Sequence, residues 1–545
     1  YGPRPGDVER IRKMGLEKWI DEQLSFTSGR DPALDAKLSK FKTLKMSSGE
    51  LLAEFPPPKQ AAKRSGTSAA EYRQEMEQEI RAKRQELRQQ GMDPAQIQFQ
   101  TMRGPQRIQA ELDVATMDRA IYSERQLYEV MSNFWANHFN VNVNKGADRW
   151  LETDYVEKTI RPRAMGKFED LLVATAKSPA MLFYLDNWLS ADPVAFQQMQ
   201  AEIAARRRRF NGLFMGGMIP QGREFPQTSS APGDRKLPPK QQDRGLNENY
   251  GREVMELHTI GVNGGYTQQD VIQMAECLTG WTIRAPRREP EFFFNDRIHD
   301  RSPKIVMGEK FNYGGMKDGL EALHMLAASP ATAKHISSQL AQHFVSDNPP
   351  PALVERMAEK FQSSGGDIRA VLRTMIYSPE FWSREAFRAK VKTPFELAVS
   401  AARALDAQTE VSPQLAQWVA RMGQPLYQCE PPTGYADTKD VWVNAGALLN
   451  RLNFALALAT NHMPGVQVDL AQLLGADADA NSETALARSL EDFLGGDVSA
   501  QTRATLEKQM SDPQIVQARL DDPVKHVNEG LIAGLVLGAP EFQRR

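Results

Sequence analysis

Cysteine is almost absent: 545 residues contain two, Cys277 and Cys429. A disulfide framework, a CxxC pair, a zinc ribbon and a c-type haem attachment are all excluded. The two thiols leave one bridge or two buried free cysteines, and their scarcity fixes no compartment. Excess charge is absent too, with 67 basic against 69 acidic residues and a net charge of −2. Nothing general in this balance favours nucleic acid or an anionic membrane as partner, so such a role needs a local patch. Apolar runs stay short of the roughly 18 residues of a membrane span, so no transmembrane segment is expected. The longest, 452–459 and 531–537, are of core-helix length. The chain opens on Tyr1 rather than methionine, which allows a removed leader and hence export, or a trimmed end. No solenoid repeat is present.

What remains is ordinary globular composition, 41% hydrophobic and 25% charged. Helical periodicity dominates, and the expected fold is mainly α: a large multi-helix body with one small antiparallel β hairpin or sheet. The pattern divides into a main helical domain over 1–460 and a C-terminal helical segment over 461–545 that packs on it. Within the main domain lie a charged helical insertion at 60–110, a mobile insertion at 197–244 and the β element at 282–311.

The stretch EYRQEMEQEIRAKRQELRQQ (71–90) is rich in helix formers with opposite charges at i,i+4, which reads as a solvated helix; its apolar seam is thin for a coiled coil. Ser123 is placed to cap SERQLYEVMSNFWANHF, where Leu127, Met131, Phe134 and His138 share one stripe. His138 therefore sits on the apolar face and needs a partner, whether a backbone carbonyl, a carboxylate or a metal. Residues 197–244 carry the run Arg206 to Arg209, a Met215-Gly216-Gly217-Met218 turn and a Pro/Ser/Gly/Lys-rich segment, the pattern of a lid. Short strands follow at 282–284, 291–295 and 304–311, with Ile298-His299-Asp300 in a turn. Helices resume over 320–328, 331–345, 353–362, 367–375 and 394–405. A Pro/Gly-punctuated loop with Tyr427, Tyr435 and Trp442 fills 421–444.

Groups able to do chemistry concentrate in NENYGREVMELHTIGVNGGYTQQDVIQMAECLTGW (247–281). On a helical wheel Asn249, Arg252, Glu253 and Glu256 share one face, with Tyr250, Val254 and Leu257 beside them. Glu253 and Glu256 are three apart, so both ionise readily only with a cation between them, Arg252 or a metal. His258 projects almost opposite Glu256, which argues against a simple helical chelate. The helix should stop at Gly261, and Thr267 with Asp270 should cap a second helix, completing an αα-hairpin whose loop is too poor in acids for an EF-hand.

FWANHFNV (134–141), LNENYGREVMELHTIGVNGGYTQQDV (246–271), LTGWT (278–282) and the His299-Asp300 pair with KIVMGEKF resemble the signature blocks of a bacterial family, domain of unknown function 1800. YGPRPGDVERIRKMGLEKWIDEQL, KTPFELAVSAARAL, GQPLY and PPTGY resemble it as well, so the likeness spans nearly the whole chain. It departs in the charged segment, in the insertion before Asn247 and in Tyr435, where the family often has tryptophan. The resemblance implies a largely helical, exported protein in a periplasmic or extracellular setting, with a co-encoded sulfatase-like protein as partner. It implies no activity.

Two functions follow. One is a hydrolase, metal-dependent or not, with Glu253, Glu256, His258, Arg252 and Asn249 as catalytic groups. Asn137, Asn247, Tyr250 and Trp281 would bind substrate, and His138, His299 and Asp300 a divalent metal. The other is a non-catalytic envelope scaffold, or partner of an exported enzyme, in which Arg252 bridges Glu253 and Glu256, the asparagines cap the helix and the histidines satisfy backbone groups. Haem at His138 or His258 lacks an attachment motif. A cleft beside the NENY helix would favour the first, a dry paired cluster the second.

Overall fold

A computed structural model describes residues 1–25, 31–215, 245–475, 478, 481–510 and 529–545, with backbone alone for 207–215. Gly216, Gly217 and Met218 of the Met-Gly-Gly-Met turn, the whole of the segment after it, the side chains of Arg207, Arg208 and Arg209, and part of the acidic linker at 475–481 lie outside the described residues. Helices carry nearly all the regular structure among the described residues, and the class is mainly α with small β insertions. No helix among them is long and apolar enough to cross a membrane.

Two antiparallel hairpins stand where the sequence pattern suggests one β element. Trp281–Arg284 pairs with Glu291–Phe294, and Lys304–Val306 with Glu309–Phe311. The second closes through Met307 and Gly308, both at positive φ (51° and 86°), the turn whose twist matches that of paired strands. A third pair, Gln408–Thr409 with Val466–Gln467, is too short to show alternation.

The αα-hairpin forms from Glu248–Glu256 and Gln268–Cys277. Thr267 and Asp270 make the capping box read from the sequence. The first helix ends one turn earlier than Gly261: His258 N–H reaches the Glu253 carbonyl and Ile260 N–H that of Met255, wide five-residue turns that unwind it. Gly251 lets the two helices touch at backbone level, since a Cβ there would sit 2.8 Å from Ala275 N and 2.9 Å from Val271 O. Ser123 does not cap the next helix; its Oγ accepts from Arg125 N–H and the helix begins at Gln126.

One apolar cluster gathers Trp135, Phe139, Phe168, Tyr250 and Trp281. A second joins Phe395, Leu397 and Phe454 to Leu486, Ile532 and Val536, so the C-terminal helices pack on the Pro394–Ala404 and Ala445–Ala459 helices. Lys390 and Arg545 exchange backbone hydrogen bonds there. The charged stretch is a helix, Ala69–Gln89, exposed along most of its length with Leu87 buried. Pro193–Met215 is helical as well, so a regular element occupies the first part of the stretch read as a mobile insertion.

Candidate functional site

Several elements line a cavity of about 410 Å³. The Pro330–Phe344 helix lends His335, Gln339 and His343, which fall at i, i+4 and i+8 and so on one face. The Gln126–His138 helix lends Phe134, Asn137 and His138, and the end of the NENY helix lends Glu256. The loop of 421–444 closes it with Gln424, Tyr435 and Asp437.

This loop is fixed by the asparagines of the 134–144 segment. Asn137 donates from Nδ2 to the Tyr435 carbonyl (2.9 Å) and accepts from Tyr435 N–H (2.7 Å). Asn140 donates to the carbonyls of Cys429 (3.0 Å) and Pro431 (2.9 Å). The approach is close enough that a Cβ on Gly434, at φ +70°, would lie 2.3 Å from the Asn137 carbonyl oxygen. FWANHFNV, GQPLY and PPTGY, distant in sequence, therefore form one wall.

His343 Nδ1 lies 2.7 Å from Asp437 Oδ2, and its Nε2 has no hydrogen-bond partner. Burial pushes the Asp437 carboxyl up, but His343, Arg545 and Lys390 outweigh it and bring it down to about 2. A carboxylate at Nδ1 accepts that proton, which leaves the Nε2 lone pair free. His138 is a core histidine, with Nδ1 2.7 Å from Gln339 Oε1 and Nε2 3.2 Å from the His258 carbonyl. Burial and the neighbouring His335 lower it to about 4, so it is neutral at pH 7. His335 is lowered by burial too, and its Nε2 also lacks a partner.

The structure spreads the residues singled out in the sequence over several roles. Glu256 borders the cavity and accepts from Tyr266 Oη (2.7 Å). Glu253 is 9% exposed, its carboxyl has no ion-pair or hydrogen-bond partner among the described residues, and it is raised to about 7 by burial and by Glu256. Arg252 does not bridge the two glutamates; it donates to Gln268 Oε1 at 2.8 Å. His258 is buried beside His138 and lowered to about 3 by burial and that neighbour, with Nε2 unpartnered. Asn249 is exposed, and Asn247 caps the helix by accepting from Asn249 N–H (3.0 Å) while donating to the Leu185 carbonyl (2.9 Å). Tyr250 and Trp281 are core residues, Trp281 packed against Gly319, whose Cβ would meet the indole at 2.8 Å.

The expected metal set is not assembled. His299 Nδ1 lies 2.8 Å from the Thr279 carbonyl, and Asp300 Oδ1 accepts from Ser302 N–H (2.7 Å). His138 is engaged as above, and no group of three or more His, Cys, Asp or Glu among the described residues is placed to hold one ion. His299 and Asp300 belong instead to a buried network with Lys304, whose Nζ lies 3.1 Å from Asp318 Oδ2 and 3.5 Å from Asp300 Oδ1. Cys277 and Cys429 are free and buried, and burial raises their thiols to about 12 and about 11, away from nucleophilic use.

His335, Gln339, His343 and Asp437 are the residues that sequence reasoning passed over. A signal was present: HISSQLAQHF sets two histidines and two glutamines, His335, Gln339, Gln342 and His343, on one face of a helix. Asp437 carries none, because its partner lies 94 residues away.

A family model described as "Protein of unknown function (DUF1800)" matches residues 1–544. No curated protein and no solved structure matches the chain.

Proposed function

Since the chain belongs to the DUF1800 family, whose description names no activity, the cavity has to carry the functional reading, and we propose that the protein is a hydrolase with His343 as general base. The observation that supports this is the His343–Asp437 pair at 2.7 Å, on the wall of a cavity, with Nε2 lacking any partner. Asp437 holds the ring in the tautomer that leaves the Nε2 lone pair without a partner; Nε2 takes a proton from water, and the hydroxide adds to the electrophilic centre of the substrate. The proton that Nε2 takes up is then given to the leaving group, and Glu256 and His335 border the same cavity as polar groups able to orient the substrate. A volume of about 410 Å³ suits a small ligand. Phe134, Phe395 and Tyr435 supply apolar wall, and Asn133, Gln339 and Gln342 hydrogen-bonding groups.

The test is a panel of chromogenic esters, phosphate esters and glycosides run on the wild type and on His343→Gln. Turnover that drops about 100-fold or more in the variant supports the reading. No turnover on any linkage, or equal turnover in both proteins, counts against it.

The scaffold reading keeps one supporting observation: Asn137, Asn140 and Asn247 are engaged with backbone groups. Unpaired Glu253 and Arg252 turned to Gln268 weigh against the paired cluster it needs. A periplasmic or extracellular location and a sulfatase-like partner are proposals resting on the family resemblance. Fractionation of the producing cell and co-purification test them.

A further inference from the structure

A second cleft, of about 730 Å³, lies between the charged Ala69–Gln89 helix and the body of the protein. Tyr72, Met76 and Ile80 fall at i, i+4 and i+8 on that helix and are its half-buried face; Met102, Trp150 and Leu426 form the opposite wall. This accounts for the thin apolar seam of a helix otherwise in water.

The charges around this apolar cleft are not compensated. Arg73, Arg103 and Arg149 line it, and none forms an ion pair among the described residues. Arg73 donates to the Ala69 carbonyl at 3.1 Å, Arg103 to those of Gln100 (3.1 Å) and Met102 (3.3 Å), and Arg149 to that of Asn144 at 3.4 Å. Arg149 Nε is buried without a partner. The two acids at the cleft do not answer them. Glu77 faces Arg81 at 3.8 Å, and Asp113 is raised to about 8 by burial, so it stands neutral at pH 7. A protein with near-balanced charge thus holds three unpaired guanidinium groups on the rim of an apolar groove, and a guanidinium fork is matched to carboxylate and phosphate.

We propose that this cleft is a binding site for a small anionic amphiphile, an alkyl chain ending in a carboxylate or phosphate, with the chain along Tyr72, Met76, Ile80 and Trp150 and the head on Arg73, Arg103 and Arg149. The site is separate from the His343 cavity and does not depend on its chemistry. Leu426 belongs to the loop that also carries Asp437, so the two sites share a wall element.

Calorimetric titration of the full chain with decanoate, decyl phosphate and decanol, below their aggregation limits, tests the assignment. The expected result is one decanoate or decyl phosphate per chain, with affinity reduced about tenfold or more in Arg149→Gln and in the Arg73→Gln/Arg103→Gln double variant. Ile80→Asp should weaken binding as well. The better of the two heads identifies the source, acyl carboxylate or phosphate. Equal binding of decanol, affinities unchanged in the arginine variants or in Ile80→Asp, or no binding overturns it. Thermal melts matching the wild type keep these outcomes readable, since the three arginines have no ion pair to lose.

Discussion

His343 and His299 each stand against an aspartate, but in different surroundings. His343 meets Asp437 at 2.7 Å on a cavity wall, with its second nitrogen unpartnered. His299 Nε2 lies 3.5 Å from Asp318 with both side chains out of solvent, and the carboxylate is already neutralised by Lys304 and held by the N–H groups of Tyr313 and Gly314. Burial lowers His299, so the ring is a neutral packing piece between Thr279, Phe294 of the first hairpin and Asp318 of the Met316–Ala328 helix. Each aspartate also has a lysine beside it, Lys390 at 3.9 Å from Asp437 and Lys304 at 3.1 Å from Asp318, so what sets the His343 pair apart is the cavity it borders.

Asp437→Asn should break the first pair most severely, lowering turnover about 100- to 10,000-fold by removing the group that fixes the ring tautomer, read as kcat on the panel substrate. Lys304→Met should break the second differently. It leaves Asp318 buried without its cation and costs about 3–5 kcal/mol in urea unfolding, while turnover per folded molecule is unchanged.

Acid sharpens the contrast on the histidine side. His138 has a folded value of about 4, below the ordinary 6.5, so the unfolded chain binds a proton that the folded one refuses. Stability is therefore lost as pH falls from 6.5 towards 4, by about 3 kcal/mol from His138, and His258 extends the loss towards 3. Glu253 acts in the opposite sense. Its folded value of about 7 means stability is lost as pH rises from 4.5 to 7, and Glu253→Gln should remove that loss. Urea midpoints across pH 4 to 8 for the wild type and Glu253→Gln check both signs.

Gly251→Ala asks whether the NENY helix is frame or site. Its Cβ would collide with the Ala275 and Val271 backbone, so about 1–3 kcal/mol of stability should go, measured by thermal unfolding. Smallest of all is Arg252→Gln, within about 0.5 kcal/mol in the same assay, because Arg252 makes one exposed hydrogen bond to Gln268 and bridges no carboxylates. A loss near 3 kcal/mol would restore the bridging role.

Much of the fold was legible because its signals are local. The Thr267–Asp270 capping box, the αα-hairpin and the strands near 281–311 each depend on residues a few positions apart. Even there one local inference failed: a wheel extended to His258 assumed a helix that unwinds after Glu256. The candidate site was legible only in part. Glu256, His138 and Asn137 border the cavity, Asn137 while also holding the loop, whereas Asn247, Tyr250 and Trp281 hold a helix end and the core.

The amino-acid order alone determined the helical class, the absence of a disulfide framework, the capped hairpin and the family, since periodicity, caps and sequence blocks act over short range. Tertiary structure alone decided which polar residues face a cavity. Asp437 reaches His343 across 94 positions, and Asn137 fixes Tyr435 across 298. Pairings at that separation arise from how helices pack, and no period in the sequence records them.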